Sequence, residues 1–142
     1  MSTSREAEHV HDLEGIAKSM LDMHPKLRIF TFTGPLGAGK TALVKALCQQ
    51  LGIDPSSVQS PTFGLVHPYL AANGEEVFHF DLYRVKSEEE LIEFGFESYL
   101  DSCAYCFIEW PALALPFLPN DYLSVSLSVN GTVRKIEWKH EL

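Results

Sequence analysis

One segment restricts the possible folds of this chain more than any other: Gly34-Pro35-Leu36-Gly37-Ala38-Gly39-Lys40-Thr41. It fits G-x-x-x-x-G-K-[ST], a glycine turn that joins a strand to a helix and wraps a phosphate. Each part has a physical reason. The glycines reach backbone conformations closed to other residues and let the chain come close to a phosphate. The turned backbone aims N–H groups inward as an anion nest, and the next helix adds the positive end of its dipole. Lys40 is expected at the β- and γ-phosphates, with the Thr41 hydroxyl on Mg2+.

The flanking segments supply the context such a loop needs. Arg28–Phe32 is short and rich in β-formers. Thr41–Leu51 carries Ala42, Leu43, Ala46, Leu47 and Leu51 on one apolar face, with Gly52 as a stop. Upstream, Leu13, Ile16, Ala17, Met20 and Leu21 predict a helix that Asp12 can cap and His24-Pro25 ends. Downstream, Gly64–Tyr69 and Glu76–Asp81 read as strands joined through Asn73-Gly74. Ser87 and Glu90 have capping-box spacing and predict a short helix to about Phe94. The apolar run Cys103–Ile108 predicts a strand covered on both faces, and Pro111, Pro116 and Pro119 an irregular connection. Leu123, Val125, Leu127 and Val129 alternate with serines, and Asn130-Gly131 turns that strand into Thr132–Lys139. The expected fold is α/β: a P-loop-type mixed sheet flanked by helices, parallel at its centre, with a C-terminal antiparallel hairpin at its end. Residues 1–142 read as one domain.

A phosphate loop needs an acid at the end of a neighbouring strand, aimed at the metal or the attacking water. Glu109 follows the apolar run Tyr105–Ile108, and Asp81 ends the strand Val77–Phe80. Either alone reads as an ordinary strand-end acid facing water. Two of them in a chain with this loop favour a site role. His79 lies two residues before Asp81 on the same strand face, where it either orients Asp81 or simply packs. Ser60-Pro61-Thr62-Phe63 is either a plain turn or a switch segment that brings Thr62 towards the γ-phosphate or Mg2+. Tyr83-Arg84 follows Asp81, and Arg84 is either solvated or paired with phosphate or a protein partner. Trp110, after Glu109, reads in isolation as a core aromatic and otherwise as a contact near the nucleotide.

Composition removes several classes. Nineteen acids against 11 bases give a net charge of −8, which disfavours non-specific nucleic-acid binding. No apolar run is long enough to span a membrane and no signal-like block opens the chain. Three cysteines make no disulfide framework, and a cytoplasmic protein in a reducing compartment is expected. Cys103-x-x-Cys106 leads into a buried strand and, with Cys48, reads as core packing rather than a redox pair. The histidines lack zinc-site spacing.

Taken in order, the phosphate loop, Ser60–Phe63, His79-Phe80-Asp81-Leu82-Tyr83-Arg84 and Ile108-Glu109-Trp110-Pro111 resemble the bacterial TsaE (YjeE) family, the ATPase of tRNA threonylcarbamoyladenosine biosynthesis. The first block is generic, whereas Asp-Leu-Tyr-Arg and Glu-Trp-Pro are specific. The resemblance implies a mixed, seven-stranded sheet and slow hydrolysis of ATP with Mg2+. It also implies association with TsaD and TsaB, and support for repeated modification of adenosine 37 in tRNAs that read codons beginning with A. Carried onto this chain, Leu36, Gly37, Ala38, Gly39, Lys40 and Thr41 hold the phosphates. Thr41 and Glu109 place Mg2+, Asp81 serves catalysis, and Trp110 lies beside the nucleotide or the partner. The N-terminal segment and the last hairpin come near the nucleotide, which makes Arg134 a further candidate. One departure is Pro35, where the family usually has an acid; the proline stiffens the loop and removes an N–H.

The resulting expectation is an Mg2+-dependent ATPase with Lys40, Asp81 and Glu109 as catalytic residues. Its partners are TsaB and TsaD, and any tRNA contact runs mainly through them. No strong built-in arginine finger stands out, so hydrolysis alone should be slow. Two alternatives stay open. A small-molecule kinase would need a substrate pocket and an arginine-bearing lid, for which 142 residues leave little room. The other is a non-hydrolysing, ATP-dependent binding module, which Lys40→Ala and Glu109→Ala would separate from an ATPase. A GTPase is weaker, since no Asn-Lys-x-Asp segment is present.

Overall fold

A computed structural model describes residues 2–58 and 65–142. The Ser60–Phe63 segment, with Thr62, lies outside the described residues, as does Gly64. Seven strands form a single sheet: β1 (Ser2–Ala7), β2 (Ile29–Thr33), β3 (Val66–Leu70), β4 (Glu76–Asp81), β5 (Tyr105–Glu109), β6 (Tyr122–Asn130) and β7 (Val133–Glu141). Their order across the sheet is β1-β7-β6-β2-β5-β4-β3. The four central strands β6, β2, β5 and β4 run parallel, and antiparallel pairs flank them on each side.

The helices are α1 (Asp12–Met23), α2 (Lys40–Gln50), α3 (Glu88–Phe94) and α4 (Phe96–Leu100). Alternation along the strands sends alternate side chains to opposite faces. Phe30, Phe32, Phe107, Leu123, Val125 and Trp138 meet α1 and α2 on one face. Phe78, Phe80, Cys106 and Ile108 meet α3, α4 and the 112–117 segment on the other. β5 is buried along its whole length, as its unbroken apolar run requires.

The structure departs from the sequence reading in a few places. β1 is a strand that the polar N-terminus does not announce. It pairs with β7 through its backbone, so the C-terminal hairpin lies one strand in from the sheet edge. Only Ala7 of β1 is buried, which explains the missing apolar signature. The Asp12 carboxylate accepts from the N–H groups of Glu8 and His9 instead of capping α1. Ser87 does cap α3, accepting from the Glu90 N–H, but the Glu90 carboxylate reaches the Lys86 N–H rather than that of Ser87. The proline-rich connection is more regular than expected, since Ala112–Phe117 winds into a 3-10 helix. Cys48 and Cys106 are buried, and burial pushes both thiols up to about 12. Cys103 is exposed, with φ of 63°, so it is not a core residue.

Candidate active site

The phosphate loop connects β2 to α2 at the carboxyl end of the central strands, where ligands gather in open α/β sheets. Two of its glycines are required by geometry. Gly34 has φ of 150°, and a Cβ there would lie 2.6 Å from the Leu127 carbonyl oxygen of the adjacent β6. Gly39 has φ of 101° and forms the N-cap of α2 in a left-handed conformation that side chains disfavour. Leu36 sits exposed at the loop tip, next to exposed Gly37, and Ala38 is buried beneath it.

Lys40 folds back over this loop. Its ammonium donates to the carbonyls of Gly34 at 2.6 Å and Pro35 at 3.0 Å, and lies 4.1 Å from the centre of the Trp110 ring. Burial holds the Lys40 pKa below its usual value, with the charges of Glu109 and Asp81 acting in the opposite sense.

Beside Lys40, the Thr41 hydroxyl donates to both carboxylate oxygens of Glu109, at 3.0 and 3.1 Å. Glu109 is 3 % exposed at the end of β5, and its Oε2 also receives the Nε2–H of fully buried His79 at 2.5 Å. A carboxylate only accepts hydrogen bonds, which fixes the donors in both contacts. Sequence reasoning offered Asp81 as the partner of His79; the structure gives that place to Glu109.

Asp81 ends β4, directly opposite Glu109 in the parallel register. It is half-buried, and its Oδ1 accepts from the Tyr83 N–H at 3.0 Å. Burial lifts its pKa above the usual carboxylate range; the Tyr83 N–H works against this and the Glu109 charge adds to it. Tyr83 is exposed and its ring lies 4.9 Å from that of Trp110. Trp110 is half-buried with φ of 56°, so it is a site wall rather than a core aromatic. The exposed Arg84 makes no side-chain hydrogen bond or ion pair with any described residue. Arg134 on β7 does reach the loop, donating to the Gly37 carbonyl at 3.2 Å.

The donor chemistry suits a magnesium nucleotide. The ammonium of Lys40 lies on the loop, and beside it the Thr41 hydroxyl turns its hydrogen towards the Glu109 carboxylate. Such a hydroxyl presents oxygen lone pairs, the ligand type that a hard divalent cation accepts. Among the described residues no three His, Cys, Asp or Glu side chains gather as a metal cage. No described helix is long and apolar enough to cross a membrane.

Residues 7–139 match the family model described as threonylcarbamoyl adenosine biosynthesis protein TsaE. The chain is 36% identical over 122 residues to the tRNA threonylcarbamoyladenosine biosynthesis protein TsaE of Haemophilus influenzae, covering 85% of this chain and 76% of that one. The protein of the same name from Borreliella burgdorferi is 38% identical over 123 residues, covering 85% and 88%. Among solved structures, the crystal structure of YdiB from Bacillus subtilis superposes with a TM-score of 0.77 at 22% identity. That match covers all of this chain and 87% of the other, and it carries the fold.

Proposed function

The chain belongs to the TsaE family of threonylcarbamoyl adenosine biosynthesis proteins, and on that premise we propose that it is a slow, Mg2+-dependent ATPase. The observation that carries this reading is the contact between Thr41 and Glu109 beside Lys40. It pairs the hydroxyl of the phosphate loop with the strand-end acid that nucleotide hydrolysis calls for.

In this reading the amides of Leu36 to Thr41 cradle the phosphates. Lys40 leaves its loop carbonyls for the β- and γ-phosphates and stabilises charge on the transferring group. Thr41 and Glu109 hold Mg2+, which when bound neutralises phosphate charge. With Glu109 engaged by Thr41, His79 and the metal in this reading, Asp81, which faces it across the β4–β5 register, is the group that orients water. A water oxygen bonds to the γ-phosphorus, the bond from that phosphorus to the β–γ bridging oxygen breaks, and the water proton passes to Asp81. ADP and inorganic phosphate leave. The raised pKa of Asp81 suits a base.

The nearest arginine to the loop, Arg134, bonds to a carbonyl on the Gly37 side. Neither Arg134 nor the exposed Arg84 is assigned to the transferring phosphate in this reading, and a partner completes the site. TsaB and TsaD fill that role in this reading, and tRNA contact runs mainly through them. Phosphate release is measured with the isolated chain and again with TsaB and TsaD added. Slow turnover that rises with the partners is expected. Fast turnover in isolation, unchanged by the partners, would overturn the reading.

A further inference from the structure

We propose that His79 is the positioning residue of the nucleotide site, holding Glu109 in the orientation that engages Thr41. The inference rests on the nucleotide reading above and assigns a role that reading does not need.

Three observations carry it. First, His79 is fully buried on β4 between Phe78 and Phe80, in a strand whose other inner positions are apolar. Second, its Nε2–H meets Glu109 Oε2 at 2.5 Å, and that carboxylate in turn accepts from the Thr41 hydroxyl. The result is a continuous chain, imidazole to carboxylate to hydroxyl, that links β4, β5 and the start of α2. Third, His79 Nδ1 is buried with no hydrogen-bond partner among the described residues. An apolar side chain at this position would avoid that cost. One ring nitrogen is left unsatisfied while the other secures the acid, so packing alone is a poor reason for a histidine here.

The physical consequence concerns rotamers. Glu109 sits at a strand end with several low-energy side-chain conformations. A donor fixed in the core selects the one that faces Thr41. Partners of this kind, one step behind a metal-binding group, typically change metal affinity 10–100-fold when lost. His79 touches neither nucleotide nor metal in this arrangement and acts only through Glu109.

The test compares His79→Gln, whose amide nitrogen can stand in for Nε2, with His79→Leu, which fills the space without a donor. Binding of a fluorescent ATP analogue is measured in EDTA and across a Mg2+ titration. In EDTA both variants should match the parent chain. The half-saturating Mg2+ concentration should rise about tenfold or more in His79→Leu and return most of the way in His79→Gln. A folded His79→Leu with the parent Mg2+ dependence would overturn the proposal. A second measurement needs no variant: the 1H–15N spectrum of the parent imidazole should place a proton on Nε2. A proton confined to Nδ1 would overturn the proposal even if His79→Leu fails to fold. Failure of the parent chain to bind nucleotide at all counts against the nucleotide reading, and the imidazole spectrum then still decides the role of His79.

Discussion

The ammonium of Lys40 lies 4.1 Å from the centre of the Trp110 ring while it bonds to the carbonyls of Gly34 and Pro35. A cation over an indole face is attracted by the ring quadrupole. A phosphate bound in the loop competes for the same ammonium. Trp110 should therefore report binding: its emission shifts when an ATP analogue is added, because the cation above it is drawn away. The other tryptophan, Trp138, is 1 % exposed in the core on β7 and should stay silent. Titration of Trp110→Phe should lose the signal while the analogue still binds. A signal that persists in Trp110→Phe would place the change elsewhere.

Gly34 is fixed by its neighbour as well as by its backbone angle. Gly34→Ala would set a Cβ 2.6 Å from the Leu127 oxygen at a φ of 150°. Either the loop or β6 must move. A loss of about 2 kcal/mol or more in denaturant unfolding is expected, together with weaker nucleotide binding. Parent stability with parent binding would show that the loop tolerates a side chain there.

Asp81 should set a pH dependence of stability. Burial raises its folded pKa above the ordinary carboxylate value. Between those two values the folded chain holds a proton that the unfolded chain has released. Stability therefore falls as pH rises through that window. Asp81→Asn removes the ionisation, so its unfolding midpoint should exceed that of the parent above the window and converge with it below. The same variant should lose hydrolysis by about 100-fold or more. Unfolding midpoints that run parallel at all pH values would contradict the assignment.

Local features of this fold are legible in the sequence, and non-local ones are not. The phosphate loop reads directly because its glycines, lysine and threonine are contiguous and both flanks carry their own periodicity. β6 and β7 are legible through serine alternation and the Asn130-Gly131 turn. β1 is not, because its stability comes from backbone pairing with β7 rather than from an apolar face. The acids Asp81 and Glu109 stand out as strand-end residues. The pairing of Glu109 with Thr41 joins residues 68 apart in sequence, and its link to His79 depends on the register of β4 against β5. Spacing along one strand makes Asp81 the natural partner for His79, and only the sheet shows that the imidazole reaches across to β5. Trp110 reads as core because its left-handed backbone, which turns it towards Lys40, has no local signature.

In the proposed mechanism Glu109 holds the Mg2+ that hydrolysis needs and is dispensable for metal-free nucleotide binding. The most direct measurement is phosphate release by Glu109→Ala beside the parent chain, in the presence of TsaB and TsaD, with ATP-analogue binding followed in EDTA. The expected result is analogue binding close to that of the parent chain, with phosphate release reduced about 100-fold or more. Parent-level phosphate release from Glu109→Ala would contradict this role of Glu109.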